Sequence, residues 1–213
     1  MGIPVLILGE SGSGKSASLR NFLPGELAII NVIGKPLPFR TKLRPYNSDD
    51  YRKIGAAIRH YTEKGGKTIV IDDSQYLMAD EFMRRSGETG FQKFTDIGKN
   101  YFDLIAMVRA LPDDVITYFL SHTSVDDQGK ERCKTIGKML DEKITIEGLF
   151  TIVMKTQVQD NVYCFSTKNS GSDTVKTPIG MFDEKYIDND LKMVDHAIRT
   201  YYGFEEEENH AKN

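Results

Sequence analysis

Hydrophobic positions along the chain fall into two alternating textures. Short unbroken apolar runs, Val5–Leu8, Leu27–Val32, Thr68–Ile71 and Val115–Leu120, have strand length and no period of their own, as strands covered on both faces do. Between them, apolar residues recur every three or four positions. Ile54, Ala57, Ile58 and Tyr61 do so within a predicted helix over 49–64, and Phe94, Ile97, Tyr101, Leu104, Ile105 and Val108 within another over 91–111. Ser48 is the expected N-cap of the first helix and Gly65-Gly66 its end. Pro112-Asp113-Asp114 breaks the second. A shorter helix is predicted over 16–23, closed by Pro24-Gly25. Strand–helix alternation of this kind predicts an α/β fold, a mostly parallel sheet with helices on both faces.

The texture changes after Leu120. Residues 124–141 are polar and charged and read as a loop or mobile segment. Thr151–Met154 and Val162–Ser166 read as neighbouring late strands joined by a polar turn at Gln159-Asp160-Asn161, and 189–202 as a helix. With no internal repeat and no second boundary, residues 1–204 are expected to form one domain, and 205–213, opening on Glu205–Glu208, an acidic disordered tail.

The first strand runs directly into Gly9-Glu10-Ser11-Gly12-Ser13-Gly14-Lys15-Ser16, which fits the phosphate-binding pattern G-x-x-x-x-G-K-[ST] in its strand–loop–helix setting. Glycines let consecutive N–H groups turn inward around a phosphate. Residues 9–17, Gly9 through Ala17, are therefore the expected ATP-binding set. Lys15 is placed to reach the β- and γ-phosphates, and the Ser16 hydroxyl to hold Mg²⁺.

A second motif supports the first. The run Thr68–Ile71 ends in Asp72 and Asp73, the pattern in which a strand beside the phosphate loop presents a carboxylate to Mg²⁺. Asp72 is the expected metal partner. Asp73 is either the base that orients the attacking water or a cap of the turn at Ser74. His122, just beyond the Val115–Leu120 strand, stands at the edge where ligands of such sheets lie. It reads as a γ-phosphate sensor or as a structural histidine.

Composition narrows the classes. The chain has 213 residues, a formal charge of −3 and 39% hydrophobic residues, so its surface is not uniformly basic. No apolar run approaches the ~18 residues needed to span a bilayer. Cys133 and Cys164 are far apart without paired histidines, which argues against a zinc or disulfide framework and fits the cytoplasm.

Gly9–Ser16, Ile71-Asp72-Asp73, Leu120-Ser121-His122 and Tyr163–Thr167 followed by Lys168-Asn169 together resemble a RecA-like P-loop ATPase core. The phrases Ile29–Phe39 and Lys176–Phe182 are similar to the phage-encoded members associated with recombination and single-strand annealing. The resemblance covers most of residues 3–202. It implies a homo-oligomer, ring or filament, with ATP between subunits, and a trans-acting basic residue for which Lys168 is the first candidate and Lys176 the second. A lysine there departs from the family's arginine and supplies one point charge instead of a planar fork. The resemblance also implies single-stranded DNA contact through 123–143, which carries Lys130, Arg132, Lys134 and Lys138 against Asp126, Asp127, Glu131 and Asp141. The loop with Lys35, Arg40, Lys42 and Arg44 is the more basic alternative, or else a subunit contact. A nucleotide or small-molecule kinase and an ATP-switched assembly protein share the phosphate loop and stay open as alternatives.

Overall fold

The structure, a computed structural model, describes residues 1–137, 140 and 143–204. Lys138, Asp141 and the Glu205–Glu208 tail lie outside the described residues. Among the described residues no helix is long and apolar enough to cross a membrane.

The four apolar runs form the centre of an eight-stranded sheet. Strand β1 (Ile3–Leu8) is flanked in parallel by β5 (Ile116–Ser121) and β8 (Ile152–Gln159). Beyond β5 come β4 (Thr68–Asp72), β2 (Ala28–Asn31) and the two-residue edge strand β3 (Tyr46–Asn47), all parallel. On the other side β9 (Val162–Ser166) and then β10 (Tyr186–Asp188) are antiparallel. The turn between β8 and β9 places Asp160 and Asn161 at φ +48° and +65°, the left-handed pair a tight hairpin requires.

Connection handedness decides which face each helix covers. The chain steps from β1 out to β2 and later returns through β4 and β5 to β8, so right-handed crossovers must put the outward and returning connections on opposite faces. The two apolar layers agree. One packs Ile54 and Ile58 of α1 (Tyr51–Glu63), Leu77 and Met78 of α2 (Tyr76–Arg84) and Ile97, Tyr101 and Ile105 of α3 (Gln92–Arg109) on the sheet. The other packs Leu19, Phe22 and Leu43 with Leu191, Val194 and Ile198 of α4 (Leu191–Tyr202) on the opposite face. The mostly parallel sheet with helices on both faces and late antiparallel strands is thus present.

Several local expectations are corrected. In place of a helix over 16–23 there is one 3₁₀ turn, Ser16–Leu19. The Ser18 hydroxyl donates to the Lys15 carbonyl at 2.6 Å, and Leu19 and Phe22, three apart, both face the core, a spacing that 3₁₀ geometry aligns. Helix α1 is capped by Asp50, whose carboxylate accepts from the Arg52 and Lys53 amides, while Ser48 Oγ accepts only from the Asp50 amide. Helix α2 and the strands β3 and β10 are additions, too short to show a period. Residues 123–133 are a hairpin of β6 (Thr123–Val125) and β7 (Glu131–Cys133), not a featureless loop. Its turn is gathered by Asp126, which accepts from the Gln128 and Lys130 amides. Strand β4 is separated from β1 by β5. All six residues of β5 are buried and take two strand neighbours, a demand that alternation in sequence does not reveal.

If Asp50 is the cap, Asp50→Ala should lower stability by about 1 kcal/mol in urea denaturation and Ser48→Ala by less than half of that. Equal losses would return the cap to Ser48.

Candidate functional site

The loop after β1 is fixed by backbone and side-chain contacts before any ligand is considered. The Gly9 amide donates to the Ser121 carbonyl at 3.2 Å, tying the loop to the end of β5. A Cβ on Gly9 would fall 2.1 Å from Thr156 Oγ1 of β8, so no larger residue fits there. Gly12 and Gly14 lie at φ +80° and +100°, a left-handed backbone that glycine adopts without strain, and the Ser13 amide between them donates to the Glu10 carbonyl at 3.3 Å. Ser13 Oγ donates to the Glu10 carbonyl at 2.8 Å and shares a 2.6 Å hydrogen bond with Thr156 Oγ1. Lys15 is only 6% exposed and donates through Nζ to the carbonyls of Gly9 (2.8 Å) and Glu10 (2.9 Å). Burial pulls its pKa down to about 8, with Asp73 and Asp72 opposing the shift.

Opposite the loop stand the carboxylates. Ser16 Oγ donates to Asp72 Oδ1 at 2.9 Å across the width of β5. Asp72 is 5% exposed, and burial first, then the Asp73 charge, push its pKa up to about 6 against the Ser16 hydrogen bond and Lys15. Asp73 ends β4 at φ +59°, a left-handed conformation that Asp tolerates at a cost of about 1 kcal/mol and that often marks functional turns. That conformation leaves its carboxylate 3.3 Å from His122 Nε2 and 3.5 Å from Lys35 Nζ.

His122 is held through its own backbone, whose amide donates to Gln75 Oε1 at 3.2 Å, and Tyr76 packs edge-on against its ring. Burial and then Lys15 lower its pKa, outweighing Asp73, so the ring is mostly neutral at pH 7. The Ser74 hydroxyl contacts Ser121 Oγ (2.6 Å) and Tyr101 OH (3.1 Å), which stitches the ends of β4 and β5 together beneath the site.

These groups surround a cleft of about 540 Å³. It gathers Ser11, Gly12, Gly14, Lys15, Ser16, Ala17, Asp72, Asp73 and His122, while Gly9, Glu10 and Ser13 form the back of the loop. Lys168 is not brought in. It is exposed after β9 and donates to the Asp183 carbonyl of its own chain. Lys176 is likewise elsewhere, bridged through its backbone to Val153.

Five cleft residues were not among the expected site residues: Asn31, Lys35, Pro36, Pro38 and Tyr163. Asn31 ends a buried strand as a polar residue at the carboxyl edge, a signal available in sequence. Its side chain accepts from the Gly34 amide (2.8 Å) and donates to the Lys35 carbonyl (2.6 Å), which fixes where Lys35 leaves the sheet. Tyr163 sits on a hairpin strand whose placement over the loop no local pattern encodes.

The donor set fits a hard cation that keeps most of its ligands from elsewhere. Among the described residues no three His, Cys, Asp or Glu side chains converge as a metal cage. One carboxylate and one hydroxyl, Asp72 and Ser16, instead match the way Mg²⁺ is shared between protein, water and phosphate oxygens. No protein-family model matches the chain, and no curated protein matches it.

A raised carboxylate pKa means that the folded state holds its proton more tightly than the unfolded chain, so Asp72 costs stability as pH rises from about 4 to about 6 and above. Asp72→Asn should therefore stabilise the protein by about 3 kcal/mol at pH 8 in chemical denaturation, a gain that vanishes near pH 4. A pH-independent difference would remove the buried-carboxylate assignment.

Proposed function

We propose that this chain is a Mg²⁺-dependent ATPase with a RecA-like core, and that it acts as an oligomer on single-stranded DNA. The observation that carries the ATPase reading is the closure of Ser16 Oγ on Asp72 Oδ1 at 2.9 Å, with Lys15 buried behind the loop and Asp73 beside it. Two motifs far apart in sequence share one cleft of nucleotide size.

In this reading the amides around Gly12 and Gly14 and the Lys15 ammonium hold the β- and γ-phosphates. Lys15 exchanges its contacts to the Gly9 and Glu10 carbonyls for phosphate oxygens, which relieves a partly desolvated cation. Ser16 and Asp72 hold Mg²⁺, which when bound neutralises charge on the β- and γ-oxygens. Asp73 orients the attacking water and accepts its proton as the bond to the γ-phosphorus forms. His122, neutral and 3.3 Å from Asp73, senses the γ-phosphate side and carries the change to the β6–β7 hairpin, since the Lys134 amide donates to the His122 carbonyl at 2.9 Å.

Support for the RecA-like reading is the pairing of the phosphate loop with a histidine-ended strand between β1 and β4. The exposed Lys168, outside its own cleft, is available to a neighbour's γ-phosphate. The unpaired, buried Cys133 and Cys164 support a reducing, cytoplasmic setting.

Phosphate release from ATP without any acceptor tests the reaction class, because a kinase would release none. Lys15→Ala should reduce release about 100-fold or more. Asp73→Asn should keep MgATP binding and lose at least about 100-fold in turnover. Substantial hydrolysis by Lys15→Ala would sink the site assignment.

Lys168→Ala should bind MgATP normally and turn over about tenfold more slowly, with wild-type activity rising more than linearly with protein concentration. Unchanged turnover would remove the trans-acting role.

A further inference from the structure

The segment from Gly34 to Tyr46 leaves the nucleotide cleft at Lys35 and returns to the sheet as edge strand β3. It is held by three apolar side chains. Leu37 and Phe39 pack on the α4-side core and Leu43 is buried in it, whereas Arg40, Lys42, Arg44 and Tyr46 stand outward. Pro36, Pro38 and Pro45 stiffen this strap, and the Thr41 hydroxyl accepts from the Leu43 amide at 3.0 Å. Three exposed cations and an exposed aromatic thus fall at every second residue of a proline-stiffened segment.

No acidic residue occurs from Gly34 through Ser48, and none of Arg40, Lys42 and Arg44 pairs with a carboxylate among the described residues. The hairpin that the family resemblance favoured for DNA contact is different. There Arg132 donates to Asp126 at 2.6 Å and Lys155 of β8 engages Glu131, so Arg132, unlike the strap cations, already has a carboxylate partner.

Tyr46 is 45% exposed and forms one wall of a hollow of about 530 Å³ between β2 and α1. Ala28, Ile29, Ala57 and Ile69 make that hollow mostly apolar, with Lys53 and His60 at its rim. An aromatic ring beside an apolar hollow, at the end of a row of unpaired cations, matches a strand of phosphates whose bases are free to stack. An acidic peptide would use the cations and leave the aromatic end unexplained.

We infer that single-stranded DNA docks along Arg40, Lys42 and Arg44 with a base stacked on Tyr46. The inference deepens the DNA part of the proposed function and rests on it, and it moves the contact from the 123–143 region to the strap.

The test is anisotropy of a labelled oligothymidylate at ~50 and ~200 mM salt, with MgATP binding measured on the same samples. Arg40→Gln/Lys42→Gln/Arg44→Gln should weaken binding at low salt and reduce the slope of log affinity on log salt by about 2, three phosphate contacts at about 0.7 each. Tyr46→Ala should lose about tenfold and Tyr46→Phe should restore it. Arg132→Gln should bind as wild type. MgATP binding should be unchanged in all of these variants, because none of the substituted residues lines the nucleotide cleft.

Undiminished DNA binding by the triple variant, or none by the wild type, would overturn the inference. Equal competition by polyglutamate would overturn it in favour of an acidic protein partner, and preference for duplex would overturn the single-stranded assignment. Loss of MgATP binding with DNA binding intact would instead count against the ATPase reading alone.

Discussion

The structure turns on a crowd of ionisable groups held at the carboxyl edge of the sheet with little solvent to share. Lys15 and Asp72 are both almost fully buried, and burial drives each toward its neutral form, the lysine down to about 8 and the aspartate up to about 6. Their mutual attraction and the Ser16 hydrogen bond offset only part of that cost. A crevice that disfavours its own charges is stabilised by a ligand bringing complementary ones: anionic phosphates for the lysine and a divalent cation for the carboxylate. Under the proposed ATPase reading, frustration at the site and affinity for a metal–polyphosphate would be two aspects of one electrostatic arrangement.

Keeping such groups together requires a rigid frame. The Ser74–Ser121–Tyr101 contacts bind the ends of β4 and β5, and the Gly9 amide and Thr156 bind the loop to β5 and β8. Insertion of β5 between the motif-bearing strands places His122 between the loop and the acids. Asp73, in its left-handed turn, then meets both His122 and Lys35. A relaxed extended residue would continue the direction of β4 instead.

Charge is managed differently on the two candidate nucleic-acid elements. In the β6–β7 hairpin Arg132 is held by Asp126, which also defines the turn by accepting from the Gln128 and Lys130 amides. The strap is shaped by apolar anchors and prolines, so Arg40, Lys42 and Arg44, unlike Lys35, have no carboxylate partner among the described residues. Net charge in sequence cannot separate these cases, because pairing depends on which side chains the fold brings within reach.

Much of the site was legible from local order alone. The phosphate loop, Asp72, Asp73 and His122 lie within a few residues of strand ends, where continuous apolar runs meet polar residues, and all of them line or back one cleft. Layering was also readable, since double-sided burial and helical period report burial directly. What only the tertiary structure decided was non-local. Strand order put β5 between β1 and β4, and packing of Leu19 and Phe22 cut the expected helix to a single 3₁₀ turn. The backbone of Asp50, not that of Ser48, took the capping geometry. Lys35, Asn31 and Tyr163 entered the cleft because crossovers and a hairpin delivered them there. Residue type and local period determine what a segment can bury or bind, whereas the partner it meets depends on long-range closure, for which the chain carries no local period.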